Sequence, residues 1–307
     1  MTGHASNTPF CAAVDWGTTN LRVWLLDRSG AVLGERASGE GMRACMPDRF
    51  EAVLEAHLEA LGAAPDLPVV AAGMAGARGG WREAPYLSAP VGLDALHAGA
   101  VVVPHARRDV RILPGVRQPV PGREDVMRGE ETQLAGAVAR GLADGLVCLP
   151  GTHSKWASIA AGRLVSFTTF MTGELFALLA GHSILKDTLG ADGFEPADPA
   201  FRGGVEDMLA DGMGLTGKLF SIRAAGLLDA AAAPNPRARL SGLLIGAEIA
   251  AARAAHGTGR DVGLVASGTQ AGLYGTALGL AGFRCHVLDG GSLVRRGLLD
   301  AARALWA

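Results

Sequence analysis

Two stretches of this chain repeat one plan, and that repetition restricts the fold more than any other feature. Phe10 to Val14 is an apolar run that reads as a buried strand. It ends in Asp15, breaks at Gly17-Thr18-Thr19-Asn20 and resumes as a strand from Leu21 to Asp27. A turn at Arg28-Ser29-Gly30 leads into a third strand from Ala31 to Glu35. The same order returns later: an apolar strand from Gly145 to Pro150, the turn Gly151-Thr152-His153-Ser154, a strand from Lys155, a turn at Ala161-Gly162-Arg163, and a strand from Leu164 to Phe170. A single hairpin of this kind is common. Two in one chain predict two related halves, each presenting a loop to a shared cleft.

The residues in those loops suit phosphate. Gly17 allows close backbone approach, and Thr18, Thr19 and Asn20 add hydroxyl and amide donors. Successive backbone N–H groups in such a turn form an anion-binding concavity. Asp15 beside it can hold Mg²⁺, directly or through water, since that ion takes oxygen ligands and keeps several waters. The position matching Asp15 in the second unit is Leu149, so only the first loop carries the acid. Gly151, Thr152, His153 and Ser154 are the matching phosphate contacts, although a lone histidine is more often a structural hydrogen-bonder. Leu149 and Pro150 give His153 no carboxylate in the adjacent sequence. Ser154 and Lys155 are phosphate contacts or only the polar start of a strand, and Arg22 contacts phosphate or braces the cleft. Phosphoryl transfer also needs a group to take the proton from the attacking hydroxyl. The candidates are the pair Glu130-Glu131, and the pattern leaves open which of the two it is. Both acids also suit a helix N-terminus through its dipole alone.

Four motifs occur in order: Asp15-Trp16-Gly17-Thr18-Thr19-Asn20-Leu21-Arg22, the loop Gly73 to Trp81, Arg128-Gly129-Glu130-Glu131-Thr132-Gln133, and Leu149 to Trp156. Together they resemble the 2-dehydro-3-deoxygalactonokinase family within the actin, hexokinase and sugar-kinase superfamily, over nearly the whole chain. The resemblance implies an α/β fold of two actin-like ATPase (ribonuclease H-like) domains flanking a nucleotide cleft, closing by a hinge. It implies ATP and Mg²⁺ as cofactors and a sugar acid, 2-dehydro-3-deoxy-D-galactonate, phosphorylated to its 6-phosphate in galactonate catabolism. Asp15 would organise the metal. The block from Gly129 resembles the Gly-Asp-Gln stretch of glycerol and xylulose kinases, which puts Glu130 in the place of their catalytic aspartate, with Glu131 the other option. Met74, Gly76, Arg78 and Trp81 would form the substrate loop, with Arg78 on the carboxylate and Trp81 walling the pocket. The family's usual serine is Ala77 here. The stretch Leu264 to Thr269 resembles the superfamily's adenosine loop, so Gly268 and Thr269 would approach the nucleoside, and Gly246 and Glu248 lie on a helix expected to flank the adenine. The rivals are a kinase for another sugar acid or a polyol, and an actin-type nucleotide sensor with no sugar substrate.

Composition narrows the rest. With 307 residues, 49% of them hydrophobic, two domains fit better than one, expected at residues 1–118 and 119–307 with the last helix, Ser292 to Trp306, packing back on the first. Pro114 to Gly122, rich in proline and glycine, reads as the crossing. A net charge of −2 gives no basic surface for nucleic acid or an anionic membrane. Cys11, Cys45, Cys148 and Cys285 have no paired spacing, which suits a reduced cytoplasmic protein; a homodimer is one option for its partner. Met1 to Pro9 reads as a frayed tail without a signal-peptide core. Further helices are expected over Pro47 to Leu61, Val91 to His97, Glu130 to Leu142, Thr172 to Leu179 (Thr172 as N-cap), two within Asp198 to Leu228, Arg239 to His256, and Gln270 to Leu280.

Overall fold

Strand β1 (Cys11–Trp16) is apolar at every residue but Asp15, and the computed structural model shows why: Ala12, Val14 and Trp16 join one core, Cys11 and Ala13 another. The structure describes residues 8–190, 193–210, 214–229, 235–257 and 259–307. The tail expected over Met1 to Pro9 lies mostly outside them, as do part of the break expected at Gly212 to Gly217 and Pro234. The chain forms two compact units, one of Met1–Asp144, Ile159–Ser166 and Gly290–Ala307, the other of Gly145–Ser158 and Phe167–Asp289.

The first unit holds β1, β2 (Leu21–Leu26), β3 (Val32–Ser38), α1 (Met42–Cys45), α2 (Phe50–Ala60), β4 (Val69–Gly73), β5 (Tyr86–Ser88), β6 (Val91–Gly92), β7 (Val101–Val102), β8 (Val110–Ile112), β9 (Gly115–Gln118), β10 (Asp125–Met127) and α3 (Glu130–Val138). The chain continues through β11 (Gly145–Leu149), β12 (Ser154–Ala160), β13 (Arg163–Phe170), α4 (Thr172–His182), α5 (Lys186–Leu189), α6 (Pro199–Ala210), α7 (Leu215–Leu228), α8 (Pro236–His256), β14 (Asp261–Val265), α9 (Gly268–Leu280) and β15 (Arg284–Leu288) to α10 (Gly290–Leu305).

The expected duplication is present. One sheet runs β3-β2-β1-β4-β8-β7, another β15-β14-β11-β12-β13-β6, so each places three consecutive strands side by side and adds later strands next to the first of them. In both, the first strand of the hairpin unit runs parallel to the newcomer: β1 with β4, and β11 with β14. A sheet buried on both faces has to be apolar on both. In the first unit α2 covers one face through Phe50, Val53, Leu54 and Leu58, spaced as one stripe of a helix. Helix α10 covers the other through Val294, Leu298, Leu299 and Ala302 against Cys11, Ala13, Trp24 and Val70. In the second unit α6, α8 and α9 pack with β11 and β14 around Phe201, Ile249, Leu264 and Leu278. Each fully buried Leu, Ile, Val or Phe contributes roughly 1.5–3 kcal/mol to this layering.

Several expectations are corrected. Pro114 to Gly122 is not a bare crossing: β9 pairs with β5 and β10 in a three-stranded sheet, because its backbone N–H groups lie between the prolines. The short helix expected over Val91 to His97 is a 3₁₀ helix over Leu93–Gly99, shifted by two residues because Val91–Gly92 form β6. Helix α3 stops at Val138, four residues short of Leu142. Gly246 does not face a ligand: a Cβ there would lie 2.8 Å from Val205 Cα, so it seats α8 on α6. Among the described residues no helix is long and apolar enough to cross a membrane, and the four cysteines are free thiols.

Candidate active site

In the first unit three element ends converge. Strands β1 and β4 pair in parallel, setting Asp15 opposite Ala72 and Trp16 opposite Gly73. Gly73 has φ +87°, and a Cβ on it would sit 2.6 Å from the Trp16 carbonyl oxygen, so only glycine lets β4 turn there. Gly129, at φ +110°, precedes α3 and would place a Cβ 3.5 Å from Gly73 Cα. The N-terminus of α3 is thus carried to the ends of β1 and β4, and Glu130 with it.

The two acids of α3 have different surroundings. Glu131 is 1% exposed; its carboxylate accepts from Gly129 N at 2.9 and 2.7 Å and from Thr132 Oγ1 at 3.0 Å. Burial, then the neighbouring charge of Glu130, push its pKa up to about 7. Glu130 is half-buried and accepts from the Arg128 backbone N–H at 3.1 Å. Asp15 also has its pKa raised, first by burial and also by Glu130, against the lowering pull of Arg22. Asp15 and Glu130 therefore feel one another's charge. A hard cation that takes oxygen ligands would relieve both burial and repulsion at Asp15. Among the described residues no cluster of three or more metal-ligating side chains occurs, so any such ion would need ligands from its substrate or water.

The Gly17–Asn20 turn is held from one side. Gly17 N donates to the Asn20 carbonyl at 2.8 Å, while the carbonyls of Gly17, Thr18 and Thr19 accept from the backbone N–H groups of Met42, Arg43 and Gly41. Because each peptide is planar, the N–H groups of Thr18, Thr19 and Asn20 point away from that segment.

The Gly73 to Trp81 loop is divided. Gly76 is buried and packs on Ile112, Ala84 and the Arg128 guanidinium. Trp81 meets Trp16 edge-on at 5.9 Å and stacks on Phe50 at 6.2 Å, so its ring anchors the loop to the core. Met74 is half-buried, and Arg78 is exposed and has no ion pair or hydrogen bond among the described residues. Arg128, which sequence reasoning passed over, lies beneath: it stacks on Tyr86 at 4.3 Å and donates through Nη2 to the Ala84 carbonyl, while Nε and Nη1 are buried without partners.

The second unit carries its own cavity of about 260 Å³, lined by Gly151, Gly173, Phe176, Ser241, Gln270 and Tyr274 among others. The Gly151–Ser154 turn borders it. Gly173, second in α4, lies so close that a Cβ would come within 2.4 Å of the Gly151 carbonyl oxygen, and Glu174 N donates to Thr152 O at 3.0 Å. His153 does have a carboxylate partner, Glu174, at 2.5 Å; the sequence hid it because it sits on the next helix. Thr172 is not an N-cap: it is the first residue of α4, Met171 holds the cap position, and the threonine hydroxyl donates to Glu248. Ser154 is fully buried and shares a hydrogen bond of 2.8 Å with the Tyr274 hydroxyl. Gly268 and Thr269 are exposed where β14 gives way to α9, and Gln270, Leu273 and Tyr274 of the same helix reach the cavity. Most of this lining was missed from sequence; the one available signal was the Asn235-Pro236 start of α8, whose Asn235 side chain caps Arg237 N and Ala238 N and fixes the helix that carries Ser241 and Leu244.

Comparison with known proteins defines the class first. The fold is that of the actin-like ATPases and sugar kinases. Component A of (R)-2-hydroxyglutaryl-CoA dehydratase from Acidaminococcus fermentans shares it, with a TM-score of 0.54 at 13% identity over 97% of this chain and 99% of that one. Within that class the chain belongs to the 2-keto-3-deoxy-galactonokinase family, whose model matches residues 15–301. A Rhizobium meliloti (strain 1021) protein named "Probable 2-dehydro-3-deoxygalactonokinase" is 47% identical over 97% of this chain and 98% of its own length. The 2-dehydro-3-deoxygalactonokinase of Escherichia coli (strain K12) is 35% identical over 95% and 97%. The crystal structure of a candidate 2-dehydro-3-deoxygalactonokinase from Sinorhizobium meliloti aligns with a TM-score of 0.93 at 47% identity, covering 97% of this chain and 99% of that one.

Proposed function

We propose that the protein phosphorylates the terminal hydroxyl of 2-dehydro-3-deoxy-D-galactonate with ATP, giving the 6-phosphate. Family membership supports the reaction class and substrate. At the site, one observation carries the reading: β1 and β4 pair with Trp16 opposite Gly73, and Gly129 packs on Gly73, which brings Glu130 at the start of α3 to the strand end that carries Asp15.

In this reading Glu130 takes the hydroxyl proton as the substrate oxygen forms its bond to the γ-phosphorus and the bond to the leaving ADP oxygen breaks. Glu130 suits that role better than Glu131, which is buried and occupied with Gly129 N and Thr132. Asp15 would hold Mg²⁺, which when bound offsets polyphosphate charge. The outward N–H groups of Thr18, Thr19 and Asn20 receive phosphate oxygens, and Gly151, Thr152 and His153 do the same beside the second unit's cavity, while Ser154, its buried hydroxyl held by Tyr274, is the polar start of β12 and not a phosphate contact. That cavity takes the nucleoside, with Gly268 and Thr269 at its approach. Arg78, exposed and unpaired, is offered to the substrate carboxylate, on a loop formed with Met74 and Gly76 and anchored by Trp81. The first unit then serves the sugar acid and the first phosphate loop, and the second unit the nucleotide. Four free thiols fit a reducing, cytoplasmic setting.

The test is Glu130→Gln. Loss of general-base help lowers kcat by about 10²–10⁴-fold, with nucleotide affinity unchanged. Turnover equal to the parent enzyme removes Glu130 from the mechanism.

A further inference from the structure

The second unit buries a carboxylate that the proposed chemistry does not use. Glu248, on α8, is 2% exposed. Its Oε1 accepts from Trp156 Nε1 at 2.8 Å, and its Oε2 accepts from the Tyr274 hydroxyl at 2.8 Å and from the Thr172 hydroxyl. The three donors come from β12, α9 and α4, so one carboxylate ties four elements together. Ser154 extends the set through its hydrogen bond to Tyr274. Burial raises its pKa, and the neutral donors Thr172, Trp156, Tyr274 and Ser154 oppose that rise. A buried carboxylate, even a hydrogen-bonded one, is a costly way to join helices, and an apolar contact would do so more cheaply.

The tied residues explain its presence. Ser154 is the residue with which the Gly151–Ser154 turn enters β12, and Thr172 immediately precedes Gly173, which packs on the Gly151 carbonyl. Thr172 and Tyr274 also line the cavity, whereas Glu248 and Trp156 do not. Both borders of the turn are therefore referenced to one carboxylate lying behind them.

We propose that Glu248 is a positioning residue that sets the Gly151–Ser154 turn and the start of α4 for nucleotide phosphate, acting through Thr172, Tyr274 and Ser154. The proposal rests on the reading of the second unit as the nucleotide site. An ionised carboxylate only accepts, and so fixes all three donors in one orientation; a glutamine at this place presents an NH₂ to them and loses part of that order.

The experiment measures the Michaelis constants for ATP and for the sugar acid, kcat and Tm in Glu248→Gln and Trp156→Phe. Glu248→Gln raises KM for ATP at least 10-fold and leaves KM for the sugar acid within 2-fold. Trp156→Phe removes one donor without touching the cavity and raises KM for ATP about 3-fold, which also covers the case in which Glu248→Gln does not fold. Falling Tm with unchanged KM for ATP in the folded variants overturns the proposal and makes the network purely structural. Photolabelling of the parent enzyme with 8-azido-ATP separates the two layers. Label on residues 241–245 or 270–274 supports the nucleotide reading whatever the variants do, and label confined to other peptides overturns that reading and the proposal with it.

Discussion

Glu131 gives the protein a pH-dependent stability whose sign and size follow from its surroundings. The carboxyl is sealed between Gly129 and Thr132, and its pKa rises from 4.5 to about 7, first through burial and then through Glu130. The folded state therefore binds this proton more tightly than the unfolded chain does. Its stabilising contribution is complete below pH 4.5 and is lost as pH rises through about 7. At about 1.36 kcal/mol for each tenfold change in proton affinity, the loss comes to ~3 kcal/mol. Glu131→Gln carries no titratable proton, so the stability difference between parent and variant must change by that amount between pH 4.5 and 8 and stay flat above. Urea unfolding followed by tryptophan fluorescence measures it, since Trp16, Trp24 and Trp81 all belong to the first unit. Adding Glu130→Gln removes the neighbouring charge and narrows the window. A parent–variant difference that is constant with pH, or that grows in the opposite direction, refutes the reasoning.

Two further outcomes concern the same unit. Gly73→Ala must accommodate φ +87° and a Cβ 2.6 Å from the Trp16 carbonyl oxygen, so it costs about 1–3 kcal/mol in urea unfolding and lowers kcat by disturbing Asp15. Arg78→Ala raises KM for the sugar acid about 10-fold or more while KM for ATP stays put in a steady-state assay, because an exposed, unpaired arginine has no structural bond to lose.

What the sequence made legible was local. Apolar strands broken by Gly-Thr turns predicted β1 to β3 and β11 to β13, because a strand buried on both faces and a tight glycine turn leave a mark in consecutive residues. Asp15 and the Glu130-Glu131 pair stood out as candidate chemistry for the same reason. The choice between Glu130 and Glu131 was not, since it depends on which side of α3 lies against α10, where Gly297 packs on the Thr132 carbonyl. Thr172 looked like a cap because its true acceptor, Glu248, is on another helix far along the chain. Trp81 looked like a pocket wall because nothing in its neighbours announces Phe50 and Trp16 beneath it. The second unit's cavity is assembled from ordinary residues of three helices and two loops, and no spacing rule gathers Phe176, Ser241 and Gln270 before the chain folds. Arg128 was overlooked inside a motif read for its acids, although its unpartnered Nε and Nη1 make it unusual among the described arginines.

The central claim is that this chain spends ATP on a sugar-acid hydroxyl. A coupled assay of ADP release over a panel of 2-keto-3-deoxy acids, both C4 epimers included, tests it most directly. The account predicts negligible release with ATP and Mg²⁺ alone and rapid release on adding 2-dehydro-3-deoxy-D-galactonate. Steady ATP hydrolysis indifferent to every acid in the panel would contradict it.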